Sequence, residues 1–463
     1  MSGGEDVPGA KPVFGSRHVT PPVPAELAEF QSNLPASLGG MSSEMMGPPP
    51  RTRQSVCVVS PSASPSPVPF LLVSLLFFVL YLLSVPFALC PPFLVVSVAF
   101  GFVTLWEICE SIYSSVRPPG QQKKKSKNSK DGGFLAADHA PSHQFSAFWY
   151  AFPLRLWALF LPTVFALGLN EFAESLDNND ATRVVGVILS TGLLIGTFGF
   201  TVAHELLHSR HLKDQYAAWT MTTLVYYGHW NLEHRYHHHK FVSTPLDPAT
   251  ALRGQSFYSY LGQTVGGTFK TAWSRGGAGR GKRRVLSYLA CSACVTCACV
   301  LRAGVAAGVA YHLVVSALAI MLLEVVQYVE HYGLKRSQTS EKANPSNADD
   351  YEAVGNMHSW NAKNSLTDLI LFNLQHHAHH HADPKTEYHM LDANYKGSSP
   401  QLVLPYSSMA LLSLVPPMFF SSMDRRLKAL QSGAIEASLS WSDTPAVLTA
   451  AGLATLSISL LRY

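Results

Sequence analysis

Charge is what this chain has least of. Lys, Arg, Asp and Glu make up 14% of its 463 residues, against about 25% in an ordinary soluble protein. The shortfall is concentrated in long uncharged blocks, which is the mark of segments dissolved in lipid. The two or three soluble domains that the length alone would permit are thereby excluded. The net charge of +4 is small and spread over loops, which excludes nucleic acid as a partner. There is no Gly-rich phosphate loop and no dinucleotide fingerprint. Cysteine is also scarce: seven residues, an odd count, give no disulfide framework. Cys291, Cys294, Cys297 and Cys299 fall in the apolar run LSYLACSACVTCACVL, where small side chains let one membrane helix approach another. A rubredoxin-type iron site needs two C-x-x-C pairs in polar loops, and none occurs there. Any electron carrier is therefore a separate protein.

What is present is organised by hydropathy. Residues 1–65 are rich in Pro, Ser and Gly without an apolar period and are expected to be disordered. The first apolar block starts too far in for an ordinary signal peptide, and Glu5, Glu26 and Glu29 argue against an organellar one. Runs of about 20 apolar residues, enough to cross a bilayer, are predicted near Val68–Leu89, Phe93–Ile112, Phe145–Leu167, Val184–Val202, Val285–Leu301 and Val305–Val329. Cys90-Pro91-Pro92 marks a tight hairpin between the first two. Ala446–Leu461 is a weaker apolar stretch, an interfacial helix or a seventh span, and six spans are the expectation. The chain thus divides into a head (1–65), a membrane domain (66–425) and a C-terminal tail (426–463). Lys123, Lys124, Lys125, Lys127 and Lys130 follow the second run, while Glu171, Glu174, Asp177 and Asp180 follow the third. Placing the lysines in the cytosol puts 204–284 and everything after His331 in the cytosol as well.

Those same regions hold most of the chain's 20 histidines. Four clusters stand at the ends of apolar runs: HELLHSRH (204–211), EHRYHHH (233–239), EHYG (330–333) and LQHHAHHH (374–381). His204 and His208, four apart, share a helix face. His234, His238 and His239 repeat the spacing with an adjacent partner, and His377, His380 and His381 stand at i, i+3 and i+4. Neutral imidazole suits iron, zinc, copper and nickel. Eight or nine imidazoles exceed the four ligands of a structural zinc site and point to two ions on one side of a membrane.

The clusters and their order resemble the integral-membrane alkane hydroxylases, within the wider membrane desaturase and hydroxylase group. That family carries HELGHK, EHNRGHH, EHYG and LQRHSDHH. Here HELLH, EHRYHHH, QYVEHYGLKR and LQHHAHHHADP stand in the same order, with YGHWNLEH, TPLDPAT, SFYSYL and HSWNAKNSLTDLILFNLQ between them. The likeness covers roughly Phe93 to Asp424. It implies an all-α integral membrane protein of six transmembrane helices with a His-rich di-iron cap on the cytosolic side. The implied ligands are His204, His208, His234, His238, His239, His331, His377, His380 and His381. Leu207 stands where the family has glycine, and His237, His376 and His379 leave other registers open. Glu205, Glu233 and Glu330 adjoin ligands and are candidates for orienting imidazole N–H groups. Glu324, an intramembrane carboxylate two turns before His331, is a further supporting candidate, as are His211 and His229.

The resemblance implies two iron ions as cofactor, O₂ as co-substrate, and hydroxylation of the terminal methyl of an alkane or fatty-acyl chain. No catalytic residue beyond the iron ligands is expected, because a methyl C–H bond offers nothing to acid–base or nucleophilic chemistry. Implied partners are a rubredoxin- or ferredoxin-type donor with its NAD(P)H reductase, the hydrophobic substrate and membrane lipid. Lys240, Arg280, Lys282, Arg283 and Arg284 are candidates for docking an acidic donor, or serve positive-inside topology alone. The small residues Ala99 and Gly101 suggest a channel for longer chains. A fatty-acyl or sterol-type desaturase or oxidase on the same irons is one alternative. A divalent-metal transporter is another, for which His312, Glu107 and Glu324 are the intramembrane polar groups. The long head favours a eukaryotic source and the endoplasmic reticulum.

Overall fold

The computed structural model describes residues 66–116, 145–275, 279–340, 344, 347–395, 399–435 and 439–462. The expectation of disorder for 1–65 and the lysines at 123–130 lie outside them. In chain order the helices are α1 (Val68–Ser84), α2 (Leu94–Val116), α3 (Ala147–Asp177), α4 (Ala181–His208) and α5 (Leu212–Thr223). Then come α6, a short element over 230–241, and α7 (Phe257–Ser274). The long helices α8 (Arg280–Ala303) and α9 (Val305–His331) follow. After them come the short α10 (Ser365–Ile370), α11 (His377–Ala382) and α12 (Tyr406–Ser413). The chain ends in α13 (Pro416–Gln431) and α14 (Trp441–Arg462). Among the described residues there is no strand, only two isolated bridges.

Among the described residues six helices are long and apolar enough to cross a membrane: α2, α3, α4, α8, α9 and α14. The expected number is met by a different set. α14 belongs to it, while α1 stops at Ser84 after 17 residues, about 26 Å at 1.5 Å per residue. The chain leaves α1 through Ala88, whose φ of 52° is left-handed. It then turns at Pro91-Pro92, which packs on Gly186 of α4 and accepts a hydrogen bond from Ser190 at 2.7 Å. Gly101 does not open a channel. A Cβ there would stand 2.2 Å from Ile458, because α14 lies directly against it.

α4 is the most buried of the six, and α8 and α14 the least. Cys291, Cys294 and Cys297 of α8 face outward. Cys299 is buried, and the small residue that lets α8 and α9 close up beside it is Gly308, where a Cβ would lie 2.4 Å from the Cys299 carbonyl oxygen. Inside the bundle the helices are joined by hydroxyls bonded to backbone carbonyls, as expected where lipid gives no hydrophobic drive for helix pairing. Tyr81 donates to the Val164 carbonyl (2.8 Å) and Tyr311 to that of Phe165 (3.0 Å). Gly168 sits where Tyr81, Tyr311 and Thr191 converge, their oxygens 2.4–2.7 Å from where its Cβ would be. Gly168→Ala is therefore expected to cost about 1–3 kcal/mol by overpacking. A thermal unfolding curve in detergent identical to wild type would contradict this.

α4 and α9 run toward the same face and end there at His208 and His331. α2 ends on that face too, where Glu110 accepts from Asn364 (2.8 Å) and Ser365 (2.9 Å). The described residues of 209–275 and 332–435 form a cap over these ends.

Candidate metal centre

All nine implied ligands meet beneath this cap. Ligand atoms of His204, His208, His234, His239 and His380 form one group, and those of His238, His331, His377 and His381 a second, each within 4.8 Å. α4 brings the first pair because its last turn is regular, so positions four apart align. α6 is not regular. Over His234–His238 it is a π-helix, with the His239 N–H bonded to the His234 carbonyl five residues back. That wider turn sends His238 and His239 to either side of the direction His234 takes, which is how two adjacent residues reach different groups. π-turns of this sort recur at functional sites. α11 divides His380 from His377 and His381 by ordinary helical geometry.

The side chains fit metal ions. Nε2 atoms lie 3.1 Å apart in His234 and His239, 3.3 Å in His239 and His380, and 3.0 Å in His377 and His381. Two imidazoles on one first-row ion, at about 2.0–2.1 Å each, stand at such separations. The Nε2 atoms of His204, His208, His238 and His331 are buried without a hydrogen-bond partner, a costly state unless something binds them. Burial, reinforced by repulsion among the imidazoles, holds the pKa values of His234, His239, His377, His380 and His381 well below the ordinary histidine range. These rings are neutral near pH 7, the form that ligates. The groups approach one another at His239 and His381, ring centroids 4.5 Å apart.

Around the imidazoles, Asp247 makes the contact that sequence reasoning missed. Its Oδ2 lies 2.9 Å from His238 Nδ1 and also accepts from Thr250 (2.6 Å). Burial alone would raise the carboxyl pKa, but His238 and Thr250 more than offset this and hold it below the ordinary range. The segment TPLDPAT was visible, but nothing in its spacing pointed to a histidine nine residues earlier. The Nδ1 of His331 faces the His358 carbonyl at 3.3 Å, and Trp230 stacks on His234 at 4.5 Å.

The expected supporting residues are distributed unevenly. Glu205 lies 3.3 Å from His204 Nδ1, behind the ring. Glu330 lies 3.3 Å from His377 Nε2, the nitrogen that also faces His381. It is therefore on the inner side of the group rather than behind an imidazole. Glu233 is fully buried with neither carboxylate oxygen hydrogen-bonded; burial, with Asp247 and Glu324 nearby, pushes its pKa well up. Glu324 touches no histidine of the two groups. It accepts from Tyr227 (2.7 Å) and Thr264 (2.9 Å), fastening α9 to the second His segment and α7. His229 is buried against Tyr227 and Phe269, away from both groups, and burial lowers its pKa to about 4. His211 is exposed at the start of α5. The alternative registers are used otherwise: His237 bonds to the Leu246 carbonyl (2.9 Å), His376 to that of Leu391 (3.0 Å), and His379 stacks on Tyr395.

Two cavities reach the centre from different sides. An apolar one, open at its rim, runs between α2, α4 and α9 past Ala99, Leu193 and Val326. It ends at His204, His234, His377 and Glu330. A polar one on the capped face is lined by Arg155, Arg210, Asp214 and Lys385 and reaches Glu205 and His208. Of the basic docking candidates, Lys240 is paired with Asp349 (3.4 Å) and Lys282 lies over Trp273, while Arg280, Arg283 and Arg284 are exposed at the start of α8.

Residues 181–411 match the family model described as Fatty acid desaturase. The chain is 38% identical over 259 residues to alkane 1-monooxygenase 2 of Pseudomonas aeruginosa, covering 54% of this chain and 66% of that one. It is 31% identical over 292 residues to alkane 1-monooxygenase of Acinetobacter baylyi, covering 59% and 67%. It is 26% identical over 263 residues to a xylene/toluene monooxygenase hydroxylase component of Pseudomonas putida, covering 52% and 64%. The match thus spans just under two thirds of the first of these relatives.

Proposed function

The chain belongs to the alkane 1-monooxygenase family, and from that premise we propose that it is a non-haem di-iron monooxygenase hydroxylating the terminal methyl of an alkane or fatty-acyl chain. The observation that carries this reading is the apolar cavity that begins among membrane helices and ends on three of the nine histidines. A chain dissolved in the bilayer, at about 0.8 kcal/mol per methylene, enters such a cavity without crossing water.

The nine histidines named above would hold two iron ions, five ligands on one and four on the other. So bound, the irons supply reduction of O₂ with two external electrons and an oxidant able to attack an unactivated methyl group. The rest is done by the protein. Phe77, Phe100, Leu193, Phe198 and Val326 line the cavity, excluding water and holding the chain end-on. Glu330 and Gln327 are polar lining groups near the histidine end, placed to contact the new hydroxyl. The polar cavity at His208 and Glu205 gives protons and water access from the capped face. We assign that face to the cytosol by the positive-inside rule, in the endoplasmic reticulum if the source is eukaryotic. A rubredoxin- or ferredoxin-type carrier, reduced by an NAD(P)H-dependent reductase, would dock there, with Arg280, Arg283 and Arg284 available to it.

Purified protein is expected to contain about two irons per chain and, given O₂ and a reductant, to place one ¹⁸O atom from ¹⁸O₂ in a terminal alcohol. Zinc instead of iron would end the oxygenase reading. A double bond without ¹⁸O would favour the desaturase reading. A metal transporter finds less support, because its intramembrane polar groups are engaged structurally. Glu107 accepts from Thr367, Ser407 and Ser408, His312 bridges Thr296 and the Leu224 carbonyl, and Glu324 is bound as described.

Ala99 lines the cavity on α2, two turns from Glu107. Ala99→Phe is expected to shorten the longest chain accepted. Discrimination against it should be about 10–200-fold per excluded methylene, with short substrates little affected. An unchanged chain-length profile in competition assays would remove Ala99 from the substrate path.

A further inference from the structure

A line of buried aromatic side chains leads from the histidines toward the aqueous face, and the hydroxylation proposed above makes no use of it as a line. Trp230 stacks on His234. Tyr227, one turn earlier, shares with Trp230 an edge-on contact to Phe200, at 5.8 and 5.9 Å between centroids. The Tyr227 hydroxyl donates to one oxygen of Glu324 at 2.7 Å, and the Tyr260 hydroxyl lies 3.5 Å from the other. From Tyr260 the centroids step 5.3 Å to Tyr328 and 5.4 Å to Tyr332. The Tyr332 hydroxyl accepts the Gly254 N–H at 2.6 Å, beside the Arg253–Asp424 pair at the surface. All five rings are at most 1% exposed. Packing alone would be served by phenylalanine or leucine, without hydroxyls that need partners.

We propose that Trp230, Tyr227, Tyr260, Tyr328 and Tyr332 form a relay that drains an oxidising equivalent from the metal centre when O₂ is activated with no C–H bond in the apolar cavity. The relay rests on the monooxygenase reading, which supplies the oxidant. The direction follows from bond strengths. An oxidant able to take hydrogen from a methyl group can oxidise a phenol, whose O–H bond is weaker. A low-potential iron–sulfur carrier, by contrast, gains nothing by passing electrons through tyrosine.

One electron moves from Trp230 to the oxidised centre, which is reduced by one. Tyr227 refills Trp230; its O–H bond breaks and the proton passes to the Glu324 carboxylate. Tyr260 then refills Tyr227, its proton passing to the Glu324 oxygen 3.5 Å away as Tyr227 takes back its own. Tyr328, whose hydroxyl stays bonded to the Gln255 carbonyl, passes an electron from Tyr332 to Tyr260 without giving up its proton, and Tyr260 recovers its proton from Glu324. The net result is one electron delivered inward and one proton released at Tyr332. A soluble thiol at the surface, as its thiolate, returns one electron to the buried Tyr332 past the Arg253–Asp424 pair. Tyr332 takes back the released proton, and two thiyl radicals pair as a disulfide.

The test uses iron-loaded protein given O₂ and reductant without alkane, freeze-quenched for electron paramagnetic resonance. Wild type is expected to show a tyrosine radical, identified by line narrowing with ring-deuterated tyrosine. In Tyr328→Phe and, separately, Tyr332→Phe, the radical should be retained on the inner rings. Self-inactivation should then run several-fold faster, with oxidation of Trp230 found by peptide mass spectrometry. Product yield with saturating alkane should be unchanged in both variants. Normal product formation with no tyrosine signal, or inactivation equal to wild type in both variants, overturns the relay alone. Absence of product in all three proteins overturns the monooxygenase reading and the relay with it.

Discussion

His380→Ala is expected to empty the five-histidine group and His381→Ala the four-histidine group, each lowering bound iron from about two per chain toward one. Product formation should fall by about a thousandfold or more in both, since a metal ion supplies several kcal/mol of the barrier lowering and each 1.36 kcal/mol is tenfold. His379→Ala, one residue earlier, should keep both ions. Its ring stacks on Tyr395 and its Nδ1 accepts the Asp392 N–H at 2.9 Å, outside both groups. Loss of that bond costs about 1 kcal/mol of stability and no metal. Three consecutive histidines thus carry three different outcomes. Iron content by mass spectrometry decides among them, and a His379→Ala protein as metal-poor as His380→Ala would show that the ligand register is wrong.

The gathering of these histidines was legible where pairs stood at a spacing that regular helices convert into a shared face, and His331 came only through the family resemblance. His204 with His208, and His377 with His381, needed nothing more. The π-turn at 234–238 was not legible, since no residue type there marks i→i+5 bonding, and a regular helix was the expectation. The membrane spans were legible as hydropathy but not as lengths. α1 ends at Ser84 because Pro86, two residues on, cannot continue a helix, whereas Trp441–Arg462 continues long enough to cross. Long-range pairings were hidden for a plainer reason. Asp247, Glu324 and the Tyr227 hydroxyl find their partners only after the cap has folded over the helix ends, and local periodicity says nothing of that.

Asp247→Asn is expected to weaken metal binding at the four-histidine group by about 10–100-fold, the usual effect of removing a carboxylate that orients a ligand imidazole. The carboxylate accepts a hydrogen bond from the Nδ1–H of His238, so Nε2 keeps its lone pair toward the pocket. Asparagine can still accept that hydrogen bond through its oxygen, but it is neutral and makes the imidazole a poorer donor to the ion. It also presents an amide whose N–H₂, if turned inward, favours the wrong tautomer. Burial leaves no water to substitute, since Asp247 is 3% exposed. Glu324→Gln is the informative comparison. Glu324 is equally buried but bonded to Tyr227 and Thr264 rather than to a ligand, so its amide variant should lose stability and leave chelator-competition affinity close to wild type. Should the two variants exchange behaviours, the group that sets ligand basicity would lie within the membrane helices, and the cap would serve only to close the pocket.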